Sequence, residues 1–176
     1  MQIDNSFVEI REATIDDMVY ISEINMSSWI DSYGGIISSD YLENLVNRKE
    51  EIIKNFETTF DDKNYLVAVY NGEIVGYLEY ELSNKYSLDL SIDSEICSLY
   101  VKKEYRNLGI GSKLFSFSVD IFKKNGKSKI GLWCIKDNDL AISFYMKKGG
   151  EIIKETDFTL DGDNNKYKMI AIIIDL

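Results

Sequence analysis

A short alternating run at residues 95–101 leads, across a turn that carries Gly109 and Gly111, into a helical pattern at residues 109–125. This junction limits the architectures open to the chain more than any other segment. A strand that passes through glycines into a helix directs backbone N–H groups at the helix N-terminus, where the partial positive charge favours an anion. Lys102, Lys103, Arg106 and Lys113 add positive charge nearby, and the missing side chains let a diphosphate come close. A phosphate cradle and a plain structural turn are the two readings. Two nucleotide motifs fail here. A P-loop requires glycine at 106 and lysine at 112, where Arg106 and Ser112 stand. A dinucleotide fingerprint requires a third glycine at 114, where Leu114 stands, and a parallel βαβ wind that the following pattern does not supply.

Charge points the same way. The chain of 176 residues has net charge −10, yet residues 102–148 hold eleven Lys or Arg against four Asp or Glu. An anionic bulk with one cationic segment suits a compact polyanion and argues against broad nucleic-acid contact; a solvated helix face is the bland alternative. No histidine occurs, which excludes Ser-His and Cys-His nucleophilic schemes and removes the commonest ligand of a catalytic zinc. No metal is expected. Cys97 and Cys134 match no paired spacing and read as buried free thiols. No apolar run approaches the ~20 residues that span a bilayer, and residues 1–5 lack the basic-then-apolar pattern of a secretion signal. A cytoplasmic protein without membrane contact is the expectation.

The remaining pattern predicts one domain, residues 1–176. Residues 7–12 alternate as a strand, Thr14 to Asp17 resemble a helix N-terminus, and a helix to about Trp29 follows. Residues 29–37 read as an aromatic and glycine-bearing loop before a second helix through Phe56, capped by Ser38, Ser39 or Asp40. Asn71-Gly72 between residues 65–70 and 73–82 is a tight hairpin turn. Residues 129–135 form a strand, 137–148 a helix, and 151–160 with 167–174 a last hairpin. The order βααβββαβαββ makes an α/β (α+β) fold, a mixed sheet with helices on both faces.

Arg106-x-x-Gly109-x-Gly111, preceded by Leu99-Tyr100-Val101 and Tyr105, resembles the Arg/Gln-x-x-Gly-x-Gly/Ala signature of the GNAT (GCN5-related N-acetyltransferase) superfamily. The resemblance continues through Leu132-Trp133-Cys134 and through Asn138, Ala141, Phe144 and Tyr145 in the arrangement N-x-x-A-x-x-F-Y. Gly150 departs from it, since the family commonly has phenylalanine there.

The resemblance implies a mostly antiparallel seven-stranded sheet whose fourth and fifth strands splay to admit acetyl-CoA as co-substrate. Its pantetheine would pair along Leu99, Tyr100 and Val101, with a contact from Asn138, and its diphosphate would sit on the backbone amides of Arg106, Asn107, Leu108, Gly109, Ile110, Gly111 and Ser112. Asn138 also reads as a helix N-cap. Direct acetyl transfer needs a neutral amine, a stabilised oxyanion and a proton for the leaving thiolate. Glu95, eleven residues before Arg106, matches the glutamate that some such enzymes use as base. Tyr145 matches the tyrosine that protonates coenzyme A.

For the acceptor, the resemblance implies a pocket from the loop after the first helix and from the third and fourth strands. Those supply Trp29, Tyr33 and Tyr80, together with Asp31, Gly34, Gly35, Tyr77 and Glu79. Aromatic walls with carboxylates suit a cationic primary amine, small molecule or peptide; Trp29 and Tyr33 equally suit a core. A coenzyme A-binding sensor without turnover is the alternative function. The apolar run 170–174 permits a homodimer through the last strands and equally suits a central strand buried on both faces.

Overall fold

The computed structural model describes residues 7–84 and 92–176; residues 1–5, where a secretion signal was sought, lie outside them. Seven strands form one sheet: β1 (Val8–Glu12), β2 (Asn64–Tyr70), β3 (Glu73–Glu81), β4 (Ser94–Val101), β5 (Lys129–Ile135), β6 (Glu151–Phe158) and β7 (Tyr167–Asp175). Their order across the sheet is β1-β2-β3-β4-β5-β7-β6. Every neighbouring pair is antiparallel except β4 with β5. The mixed, mostly antiparallel sheet expected from the order of elements is present.

Local chemistry accounts for several elements. Asn71 and Gly72 both adopt positive φ, 51° and 80°, the geometry whose twist matches the strands it joins. Helix α1 (Met18–Tyr33) runs a turn further than the pattern predicts and ends at Gly34, whose ψ of 121° leaves the helical region. Trp29 is therefore helical. The single second helix is in fact two, α2 (Ser39–Asn47) and α3 (Lys49–Thr58), parted at Arg48. No glycine or proline marks that break; Arg48, with ψ of 16°, instead folds its guanidinium onto Glu51 at 3.0 and 2.7 Å. Ser38 caps α2 by accepting from the Tyr41 amide.

Helices α1 and α3 cover one face of the sheet, where Met18, Ile21 and Ile24 pack on Tyr65, Val67 and Tyr77. Helices α4 (Ile110–Lys124) and α5 (Asp139–Met146) cover the other, burying Leu114, Phe122 and Tyr145 against Leu78, Ile96, Leu132 and Ile172. Strand β7 lies between β5 and β6, with Ile170, Ala171, Ile172 and Ile174 buried. The apolar run that permitted a dimer is thus a central strand. Gly150 is required by packing: an added Cβ would lie 2.8 Å from the Tyr145 carbonyl oxygen and 2.9 Å from Ile172 Cγ2, too close for any side chain, phenylalanine included. Among the described residues no helix is long and apolar enough to cross a membrane.

Candidate active site

Strands β4 and β5 pair only at their starts, Ser94 with Ile130 and Glu95 with Gly131. Beyond that point β4 stays with β3 and β5 follows β7, so the two diverge as a fork. Its root is pinned by Asp93, whose carboxylate accepts from the amides of Ser128 (2.9 Å) and Lys129 (3.1 Å) and from the Ser128 hydroxyl (2.9 Å). These bonds hold the Asp93 carboxyl below its ordinary pKa against the opposing effect of its burial.

A cavity of about 490 Å³ fills the fork, lined by Leu99, Tyr100 and Val101 of β4, Trp133 and Cys134 of β5, Arg106, Asn107, Gly109, Gly111 and Ser112 of the turn, and Tyr33, Asn138 and Tyr145. The inner edge of β4 past Glu95 has no ladder partner, so its backbone groups are available to an extended ligand. Leu108 and Ile110 give the cavity no side chain; Ile110 is buried beneath α4.

The turn has the geometry of an anion site. Asn107 and Gly109 both take the left-handed conformation, φ 61° and 82°, and Gly109 is the N-cap of a fifteen-residue helix whose first amides have no intrahelical acceptor. A Cβ on Gly111 would meet only Leu99, Phe144 and Val101 at 3.5–3.9 Å. The packing therefore tolerates more than glycine there, and what the missing side chain leaves is room in the cavity. Arg106 donates from Nε to the Val101 carbonyl at 3.0 Å, which fixes the turn to the strand end. Asp31 at the end of α1 reaches Lys103 and Arg106 at 3.3 and 3.7 Å. These features fit the phosphates and pantetheine arm of coenzyme A.

Phenols gather at the middle of the fork. The hydroxyls of Tyr33 and Tyr100 are 3.3 Å apart, and Asn138 lines the same cavity. Asn138 also accepts from the Ala141 amide at 3.2 Å as N-cap of α5, so the cap role is real and leaves its NH2 group turned to the cavity side. Burial raises the pKa of Tyr33, Tyr100 and Tyr145, with Cys134 and Tyr33 adding to the rise at Tyr145. Burial also pushes the Cys134 thiol up to about 12. All four groups are neutral near pH 7. Behind them Asn25 donates to the Tyr77 hydroxyl at 2.7 Å, and the Tyr77 and Tyr100 rings are 5.9 Å apart.

The other expected residues fall as follows. Glu95 is buried at the root of the fork and does not line the cavity; its pairing with Glu81, past a register shift between Glu79 and Tyr80, places it on the α1 face with Glu79, Glu81, Ser98 and Tyr100. Tyr33 lies in the cavity wall, and Trp29 packs edge-on behind it at 5.0 Å, as support. Tyr80 is a correction. Alternation along β3 sends Tyr77 and Glu79 to the α1 face and Tyr80 to the other, where it is buried edge-on against Phe122 at 5.7 Å. It belongs to the core beneath α4.

A second cavity, about 940 Å³, opens between the α1–α2 loop and the β6–β7 hairpin, lined among others by Ile30, Ile37, Leu42, Glu43, Asp137, Tyr167 and Lys168. It meets the first at the wall formed by Tyr33–Gly34 and Asp137–Asn138. A latch closes its rim. The Tyr167 hydroxyl donates to Asp163 at 2.6 Å and accepts from the Ser38 amide at 3.0 Å, while the Ser38 hydroxyl donates to Asp163 at 2.8 Å. No sequence signal marks this latch, because its halves lie 129 residues apart.

Residues 26–150 match the acetyltransferase (GNAT) family. The chain belongs to that family. Among its relatives, the spermidine N(1)-acetyltransferase of Thermoplasma acidophilum is 29% identical over 158 residues, 85% of this chain and 91% of the relative. An N-alpha-acetyltransferase of Sulfurisphaera tokodaii is 28% identical over 92% of this chain and 91% of the relative. The crystal structure of the PaiA N-acetyltransferase of T. acidophilum in complex with coenzyme A superposes with a TM-score of 0.70, covering 96% of this chain and 99% of that one at 25% identity. The forked sheet and the glycine turn of this GNAT chain are the fold of that family.

Proposed function

We propose that this GNAT protein transfers the acetyl group of acetyl-CoA directly to the primary amine of a small-molecule or peptide acceptor. The observation that carries the reading is the fork itself: an open β4 edge, a glycine turn at a helix N-terminus, and neutral phenols where the two arms part. Leu99, Tyr100 and Val101 would hold the pantetheine by backbone pairing, and the amides of residues 106–112 the diphosphate. An N–H near Leu99 or Tyr100 would polarise the thioester carbonyl.

Tyr145 is the proposed hydrogen-bond donor to the departing sulfur, whose conjugate thiol has a pKa of ~8.5. A phenol is protonated near neutral pH, and burial raises the pKa of this one further. Glu95 is the proposed base, acting through water from the root of the fork on the α1 face. Tyr33 stands between the coenzyme cavity and the wider groove, so the acceptor body would occupy the groove and pass its amine by Tyr33. The carboxylates of that face, Glu79, Glu81 and Glu95, favour a cationic acceptor. Relatives named for spermidine and for protein α-amines bracket the two acceptor classes.

The test is free-thiol release from acetyl-CoA across a panel that includes spermidine and short peptides with free N-termini. Release with at least one amine is expected, and Glu95→Gln should slow it by about a hundredfold while coenzyme A still binds. Coenzyme A binding without release across the panel would favour the sensor, and absence of binding would overturn both.

A further inference from the structure

Lys148 follows α5 and holds its ammonium 5.5 Å from the centroid of the Phe115 ring and 5.4 Å from that of Phe144. Its Nζ donates to Ser112 Oγ at 3.1 Å. Ser112 is the third residue of α4 and lines the fork cavity. A cation is thus bonded into the positive end of a helix, where the helix charge opposes it. No carboxylate pairs with Lys148 among the described residues. The two rings offset part of that cost by cation–π attraction, and an anion in the cavity would remove the rest.

Hydrogen-bond polarity then orients Ser112. An ammonium can only donate, so Ser112 Oγ is the acceptor in this pair and its own proton must point away from Lys148. The free side of Ser112 is the cavity. We propose that Lys148 is a positioning residue of the diphosphate site: it fixes Ser112 as a hydrogen-bond donor to a diphosphate oxygen and sets a positive charge behind the first turn of α4. This rests on the coenzyme A reading above and adds to it a residue outside the glycine motif. The ligand chemistry is a diphosphate ester carrying a pantetheine arm.

Binding of three probes, coenzyme A, 3′-dephospho-coenzyme A and pantetheine, separates the possibilities. In Lys148→Met, which keeps the length and loses the donor, coenzyme A and the dephospho form should both weaken by about tenfold, and pantetheine should bind as to the parent protein. Lys148→Arg should restore most of the loss. In a Ser112→Ala background, Lys148→Met should cost clearly less than in the parent protein, because the path through Ser112 is already gone and only the loss of charge remains. Equal weakening of all three probes would mark a packing role and overturn the proposal, as would unchanged coenzyme A affinity. A full additional loss in the Ser112→Ala background would overturn the route through Ser112. If the parent protein bound none of the probes, the coenzyme reading itself would fail. If Lys148→Met melted at a much lower temperature, Lys148→Leu, which also lacks a donor, would carry the comparison with the same expected pattern.

Discussion

Burial, together with the neighbouring Cys134 and Tyr33, raises the Tyr145 pKa above the usual 10, so that the phenol keeps its proton into the alkaline range as well. In a chain without histidine this matters for both chemistry and stability. For chemistry, Tyr145→Phe should lower kcat by about a hundredfold with coenzyme A affinity unchanged, read by steady-state turnover and direct binding. For stability, the sign follows from linkage. The unfolded tyrosine ionises near 10 while the folded one resists, so the benefit is complete below that pH and is lost as pH rises through the folded value. Tyr65, Tyr77 and Tyr100 are raised too, chiefly by burial. Urea midpoints should therefore stay flat from neutral pH to ~9 and fall beyond ~10, less steeply in Tyr77→Phe. A midpoint that kept rising there would contradict the buried-phenol arrangement. Tyr145 was legible from its spacing to Asn138. The Tyr33–Tyr100 contact, 67 residues apart, was not. Tyr80 was misplaced because grouping it with Tyr77 and Glu79 mixed the two faces of one strand.

The elements that shape the proposed acceptor side are two loops and the latch between them. Tyr167 joins β7 to the start of α2 through Asp163 and the Ser38 amide. Removing its hydroxyl leaves the Ser38 amide without its acceptor and the latch held by the Ser38–Asp163 bond alone, which loosens the groove. Tyr167→Phe should raise the acceptor KM by about three- to tenfold and leave the coenzyme A dissociation constant alone, as measured by initial rates at saturating donor. A matched loss of donor affinity would refute this division of labour. The same region explains where the pattern of helices misled. Asn71-Gly72 is legible because two residues must take positive φ, whereas the break at Arg48, C-cap of α2 and N-cap of α3 at once, carries no glycine or proline to mark it. Likewise, the run 170–174 could be assigned to the middle of the sheet only once β6 was seen to pair outside it.

Across the whole molecule, charge is divided by function. Of the net −10, residues 102–148 carry +7 and the rest of the chain −17, and the cationic segment contains the glycine turn. Attraction of a cationic amine to the anionic remainder is screened by salt, with a Debye length of ~10 Å at 0.1 M. Raising ionic strength from ~0.05 to ~0.2 M should thus lower kcat/KM for a polyamine by about threefold or more and for an uncharged-bodied amine much less. Equal salt dependence for both would argue against steering. By itself, the sequence determined the hairpin, the strand–turn–helix at residues 95–125 and, through the spacing of Asn138 and Tyr145, the family. These are short-range patterns, in which glycine conformation and side-chain period act within a few residues. The tertiary structure alone decided that β4 and β5 part after two paired positions, that Glu95 lies at the root of the fork behind the cavity, and that Lys148 reaches Ser112. Each of these depends on which distant segments share the limited buried space, and no local propensity records that. The strand–turn–helix junction at Gly109 and Gly111 points to coenzyme A as the proposed donor; the geometry from Tyr33 to the Tyr167 latch is where we propose the acceptor is held.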